Sequence, residues 1–227
     1  MSTALPSLDP PLVEERIAHR DVTGLIDPDC VVVIGANERR RGVVAEAIAG
    51  GGRAYLVHPS GESILGEDVY TSVRELPEVP DCALMLVGHQ AIVDVMREAL
   101  EFGIRAFVLP GLGAESGAHA ADSIAAVLEL ADAYDAAILG PNCMGMAVPN
   151  GGSMYVANVP KTFRRGHVSV IAQSGSIADA MLNCGPRLGF RAVFSTGSEG
   201  NRDAADLLMG LAEDPQTEAI GQFVETV

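Results

Sequence analysis

Short apolar runs, each closed by a glycine or proline and most followed by a helical stretch, recur along almost the whole of this chain. That rhythm constrains the fold more than any single motif, because strand and helix in alternation build a parallel sheet with helices on both faces. Cys30 to Ile34 (CVVVI) is β-branched, has no polar alternation and stops at Gly35, as a strand buried on both sides does. A helix is expected over Gly42 to Ala49, then a strand over Arg53 to Val57, stopped by His58-Pro59. A short helix begins near Ser72 and ends at Leu76-Pro77, and Cys82 to Val87 is a third core strand. Gln90 to Phe102 carries Ile92, Val93, Met96 and Leu100 on one side, the mark of an amphipathic helix. Arg105 to Leu109, Ala118 to Tyr134 and Ala136 to Leu139 complete the series as strand, helix and strand, with a glycine-rich loop at 110–117.

The organisation follows. Residues 1–29 read as an approach segment with a short helix over Leu12 to His19. Residues 30–147 form a Rossmann-like α/β domain, and 148–166 a connector with little regular structure. A second unit fills 167–227: strand His167 to Ala172, helix 175–187, strand Arg191 to Ser195, helix Ala204 to Ala212, strand Ala219 to Val224. Three strands and two helices are half of a flavodoxin-like domain, and its last strand would present an unpaired edge.

Charge narrows the partners. Lys+Arg 15 against Asp+Glu 30 gives −15, and such a chain repels nucleic acid and anionic membrane, so neither is an expected partner. The four cysteines, Cys30, Cys82, Cys143 and Cys184, form no CxxC pair and no zinc spacing with histidine, so a reduced, cytoplasmic protein without a metal site is expected. Cys143 is a possible nucleophile, though a structural thiol beside a ligand is the simpler reading. The N-terminus has neither the basic start nor the apolar core of a signal peptide, and no apolar run reaches the ~20 residues that span a bilayer.

Two small-residue loops stand out: GPNCMG at 140–145 and AQSGSIAD at 172–179. Each follows a strand, and such loops bring backbone N–H groups to a phosphate or another anion. QSGS also has a plainer reading, since Ser is a preferred helix cap. The first βα turn, GANERRRG at 35–42, identifies which nucleotide. A dinucleotide turn has GxGxxG, with an acid after the second strand for the ribose. Here Asn37 replaces the second glycine, and the second strand ends Val57-His58-Pro59-Ser60 without an acid, which argues against an NAD(P)-dependent oxidoreductase. Arg39, Arg40 and Arg41 suit a phosphate held apart from the pyrophosphate, such as the 3′-phosphate of coenzyme A; the plainer alternative is a solvated basic patch.

With LIDPDCVVVIGA, LVHPSGESILGEDVYTSVRELP, PGLGAESG, GPNCMG, AQSGSIA and SEGN followed by LAEDPQTEAI in this order, the chain resembles the NDP-forming acyl-CoA synthetase superfamily, which includes the succinyl-CoA synthetase α subunit. The resemblance runs from about Leu25 to Val227. It implies the reaction acid + CoA + NTP ⇌ acyl-CoA + NDP + phosphate, through an acyl phosphate and a phosphohistidine. It implies that Gly35, Ala36, Asn37, Arg39, Arg40, Arg41, Pro59, Ser60, Gly88 and His89 hold coenzyme A, with Asn142 and Cys143 near its thiol end. Ser174, Gly175 and Ser176 would receive the phosphate, and Glu225 would orient the phosphohistidine. ATP or GTP with Mg, a carboxylic acid and an ATP-grasp domain or subunit are the further implied partners, and a homo-oligomer is possible.

None of His19, His58, His89, His119 and His167 falls where the phosphohistidine is required, downstream of Glu225. A piece of a longer synthetase is therefore the favoured reading, with a non-catalytic module that senses coenzyme A as the alternative. Neither would complete the reaction alone. The acyl group and the choice of ATP or GTP are not legible.

Overall fold

The computed structural model describes residues 20–50, 52–111, 118–149, 151–157, 159–160 and 163–225. The helix expected at Leu12 to His19 and most of the loop at 110–117 lie outside these residues.

The first sheet contains β1 (Cys30–Ile34), β2 (Arg53–Val57), β3 (Val69–Tyr70), β4 (Cys82–Met85), β5 (Ala106–Val108) and β6 (Ala137–Leu139). Its order is β3-β2-β1-β4-β5-β6 and every pairing is parallel. This is the doubly wound Rossmann order, in which the direction of winding across the sheet reverses between β1 and β4. All five residues of β1 are buried, as its unbroken apolar run requires. Burying each large aliphatic side chain contributes about 1.5–3 kcal/mol. Helices α3 (Ile92–Phe102) and α4 (Ala118–Ala133) pack on one face, where Met96, Leu100, Val127 and Ala131 join Val32, Phe107 and Ile138. Helices α1 (Thr23–Ile26) and α2 (Arg41–Ala49) cover the other.

The second sheet contains β7 (Gly145–Ala147), β8 (Met154–Tyr155), β9 (Arg165–Ala172), β10 (Phe190–Ser195) and β11 (Ala219–Phe223), in the order β11-β9-β10-β7-β8. The strands β10, β9 and β11 are parallel and follow the flavodoxin order, the first strand lying between the second and third. Helices α5 (Gly175–Leu182) and α6 (Ala204–Glu213) link them.

The sheets divide the chain differently from the sequence reading at one place. Gly145–Ala147, expected at the end of the first domain, is hydrogen-bonded antiparallel to β10, and Met154–Tyr155, expected within an irregular connector, extends the same sheet antiparallel to β7. Strands of two or three residues carry too little periodicity to be seen among Gly and Pro. The edge expectation is realised among the described residues: β11 pairs with β9, and its residues are largely exposed.

One core is continuous between the two sheets. Val22, Leu25 and Ile26 of the α1 region, Val31 and Val33 of β1, Met146 and Met154 of the short strands, Ile171, Phe194 and Leu207 belong to a single buried cluster. Polar groups reinforce this junction. Arg191, 4% exposed, donates from Nε to Asp214 Oδ2 at 2.9 Å, while its Nη2 lies 2.9 Å from Asp27 Oδ1 without hydrogen-bond alignment. Asn201 substitutes for a strand on the outer edge of β6: its Oδ1 accepts from Ile138 N–H at 2.8 Å and its Nδ2 donates to Ala136 C=O at 2.9 Å.

Candidate functional site

The carboxyl ends of β1, β2 and β4 open into a cleft of about 290 Å³. In an open α/β sheet this is where a ligand binds, outside the point at which strand order reverses. Gly35 forms its floor with a positive φ of 92°, and a Cβ there would stand 2.5 Å from the carbonyl oxygen of Leu86. Only glycine allows β1 and the segment after β4 to approach so closely. Ala36 lies beneath, buried, with its N–H bound to Val57 C=O at 3.2 Å.

Asn37 explains why the turn departs from GxGxxG. Its backbone is extended, and its side chain caps a 3₁₀ turn over Glu38–Arg40 by accepting from Arg39 N–H at 3.0 Å. The same side chain donates to Gly35 C=O at 3.3 Å. The turn therefore ends in three exposed arginines. Arg41 meets Glu38 at 2.7 Å, both side chains well exposed, a pair of little energy that releases readily. Among the described residues no side chain partners Arg39 or Arg40, so their guanidinium groups stand in solvent beside the cleft.

On the β2 side, His58 and Pro59 line the cleft. His58 Nδ1 accepts from the N–H of Ser60 at 3.1 Å and faces the Ser60 hydroxyl at 2.9 Å, which leaves Nε2 of the neutral ring as its donor. Gly88 lines the β4 side, and nothing lies within 4 Å of where its Cβ would be. The candidates Gly35, Asn37, Pro59 and Gly88 thus share one cleft, with Ala36 and Ser60 adjoining it. His89 is half-buried and does not line it. The opposite wall was not anticipated: Thr71, Ser72 and Val73 after β3, with Ala91, Val95 and Glu98 at and along α3. The Ser72 hydroxyl donates to Glu98 Oε1 at 2.6 Å.

A second cluster gathers at the carboxyl ends of β9, β10 and β11. The loop GPNCMG passes through a cis Gly140–Pro141 bond and a left-handed Asn142, φ 58°. It docks on the loop after β10, through Ser198 N–H to Pro141 C=O at 2.9 Å and Gly200 N–H to Gly140 C=O at 2.8 Å. Met144 N–H donates to Ser195 Oγ at 3.1 Å. Gly175, the first residue of α5, lies so close to this loop that a Cβ would meet Met144 Cγ at 2.6 Å. The two conspicuous loops of the sequence are therefore in contact across the sheets.

Ser174 occupies the cap position of α5 but makes no side-chain capping bond, so the simple capping reading of QSGS does not describe it. Ser176 is exposed. Glu225 follows β11 at the same end, its N–H held by Gln173 Oε1 at 2.7 Å. These residues flank the boundary between β9 and β11, the reversal point of the flavodoxin order.

Cys143 is buried, and its thiol donates towards Leu109 C=O and Leu139 C=O, each at 3.5 Å. Burial raises its pKa to about 12, which fits a structural thiol better than a nucleophile. Asn142, beside it, is exposed. Both belong to the second cluster rather than to the cleft lining. No group of metal-ligating side chains is present among the described residues, and none of the described helices is long and apolar enough to cross a membrane.

A Rossmann-order sheet joined through one core to a flavodoxin-order sheet, each with its reversal point open, defines a two-part nucleotide-type α/β protein. Family comparison gives it a place. The chain belongs to the CoA binding domain family over residues 27–149, continuing over 165–227 as a succinyl-CoA ligase like flavodoxin domain, the pairing of the NDP-forming acyl-CoA synthetase superfamily. It is 29% identical to trans-feruloyl-CoA synthase FCS1 of an unknown prokaryotic organism, covering 94% of this chain and 32% of that protein. It is 28% identical to the ADP-forming acetate–CoA ligase II subunit alpha of Pyrococcus furiosus, covering 88% and 45%. Among solved structures, PH0766 from Pyrococcus horikoshii superposes with a TM-score of 0.79 at 25% identity, covering 89% of this chain and 48% of that one. The acetyl-coenzyme A synthetase 1 of Ca. Korarchaeum cryptofilum shares the fold, with a TM-score of 0.81 at 24% identity over 91% and 46%. The chain thus spans between a third and half of the length of these relatives.

Proposed function

We propose that this chain is the coenzyme A-binding and phosphate-handling part of an NDP-forming acyl-CoA synthetase. One observation carries the reading: the cleft at the β1/β4 reversal point, floored by Gly35 and bordered by a turn whose exposed Arg39 and Arg40 have no side-chain partner among the described residues. The apolar walls suit an adenosine, Gly88 leaves room for a backbone approach, and the arginines suit the ribose 3′-phosphate as bidentate donors. Coenzyme A fits this arrangement better than a redox dinucleotide does, because β2 ends in Val57-His58-Pro59-Ser60, with no acid there to hold a ribose diol. From the cleft the carrier would run towards Asn142, where its thiol end meets the second cluster.

There, Ser174, Gly175 and Ser176 would bind phosphate at the start of α5, whose dipole favours an anion by about 0.3–1 kcal/mol when exposed. Glu225 stands beside this position to orient a phosphohistidine supplied by another segment or subunit. An ATP-grasp part, with ATP or GTP and Mg, would complete the catalyst and ligate a carboxylic acid to coenzyme A. We place the end of the coenzyme A unit near Leu139, since Gly145–Ala147 is paired with the second sheet.

Calorimetry with coenzyme A and with dephospho-coenzyme A tests the reading. Dephospho-coenzyme A should bind at least tenfold more weakly, and the gap should close in the Arg39→Ala/Arg40→Ala variant. Equal affinities in the unaltered protein would remove the arginines from the site. Failure of coenzyme A to bind at all would remove the reading.

A further inference from the structure

The wall of the cleft opposite the arginine turn holds one carboxylate, Glu98, in an otherwise apolar stretch formed by Val73, Ala91 and Val95. Its geometry is built. Oε1 accepts the Ser72 hydroxyl at 2.6 Å and lies 3.5 Å from Arg74 Nε, while Arg74 also grips Glu101 at 2.7 Å. Ser72 in turn accepts from Arg74 N–H at 3.0 Å, so the turn after β3 and helix α3 are pinned to one another through this acid. No partner to Oε2 is present among the described residues. Glu98 thus offers the cleft a single oriented acceptor, with Arg74 shared between it and Glu101.

We infer that Glu98, held by Ser72, reads the 6-amino group of an adenine base lodged between the β2 and β4 ends and α3. This rests on the coenzyme A reading above and adds a base-selecting residue to it. The phosphates belong at the Gly35–Asn37 turn, so the part of the ligand that reaches the opposite wall is the planar base. Apolar side chains cover its faces, and an ionised carboxylate, which only accepts hydrogen bonds, meets its amino edge. A base with a 6-oxo group would set that oxygen against the carboxylate, and Glu98 could be satisfied only if the base slid along the wall to offer its N1–H. Hydrogen bonds to charged groups are worth about 1.5–3 kcal/mol, which predicts about 10- to 150-fold selection for adenine over hypoxanthine.

The test is calorimetry with coenzyme A, adenosine 3′,5′-bisphosphate and inosine 3′,5′-bisphosphate. The unaltered protein should prefer the adenosine compound by about tenfold or more. In Glu98→Gln, whose amide either donates or accepts, that preference should fall below about threefold, with coenzyme A still bound. Glu101→Gln, which alters the same arginine pair outside the cleft, should keep the full preference. Equal affinity for the two bisphosphates in the unaltered protein overturns the inference. So does a Glu98→Gln variant that weakens both in proportion, the pattern of a merely structural acid or of one that reads the ribose. A protein that binds no coenzyme A overturns the parent reading and this inference together, whereas binding without base selection overturns this inference alone.

Discussion

Replacing Asn201 with alanine isolates the contact that joins the second unit to the edge of the first sheet. Asn201 is 6% exposed and supplies the two backbone hydrogen bonds that a seventh strand would otherwise give β6, one to Ile138 N–H and one from its amide to Ala136 C=O. Both residues are fully buried, so neither group reaches water when the side chain is shortened. Leaving a buried donor or acceptor without a partner costs about 1–3 kcal/mol each. The third bond, to the exposed Asp132 carboxylate, contributes little. The expected loss is therefore about 2–6 kcal/mol, a large share of the 5–15 kcal/mol typical of a folded domain. Urea unfolding followed by far-ultraviolet circular dichroism should show a midpoint lowered by roughly 1 M or more. Amide exchange at Ile138 should accelerate sharply. Asn201→Asp keeps the acceptor for Ile138 but turns a second carboxylate oxygen towards Ala136 C=O, so it should destabilise at least as much as alanine. A loss under about 0.5 kcal/mol for Asn201→Ala, with Ile138 still protected, would refute the reasoning.

Other outcomes follow from the same geometry. Gly35→Ala places a Cβ 2.5 Å from Leu86 C=O at a φ of 92°, so it should lose at least about 2 kcal/mol in urea unfolding and abolish coenzyme A binding by calorimetry. Cysteine titration at pH 8 should modify the half-buried Cys184 first, while Cys30, raised to about 11, and Cys143, raised to about 12, both chiefly by burial, react only on unfolding. Burial acts to raise the Asp214 pKa, but bonds from Thr217, Gln216 N–H and Arg191 outweigh it and the net direction is down. The stability this carboxylate contributes is thus complete above its ordinary value near 3.8 and is lost as pH falls through the lower folded value. Asp214→Asn should flatten stability against pH in that acid window; an unchanged acid limb would contradict the assignment.

The long elements were legible because burial on both faces leaves an unmistakable apolar run, as in β1 and β4, and because α3 carries its apolar stripe at helical spacing. The shortest strands were not. β3 at the far edge of the first sheet, and β7 and β8 at the junction, are two or three residues long, too short for any period, and β7 starts at Gly145, the last residue of a stretch that also reads as a phosphate loop. On the β1 side the candidate site was visible, since Gly35, Asn37, Pro59 and Gly88 follow strand ends. On the α3 side it was hidden, because Glu98 reads as an ordinary solvated position on a helix until Ser72 is brought against it from the turn after β3. Asn201 belongs to the SEGN motif of the sequence, but its work of closing a sheet edge depends on a register that no local pattern encodes. His89, next to Gly88, is half-buried outside the lining, so a place after a strand end does not by itself put a side chain in the cleft.

The most direct test of the central claim is a crystal structure of this protein grown with coenzyme A. The account predicts adenosine density at the mouths of β1, β2 and β4, the 3′-phosphate against Arg39 and Arg40, and the 6-amino group within hydrogen-bond distance of Glu98. Adenosine density at the start of α5, or anywhere away from the β1/β4 reversal point, would contradict it.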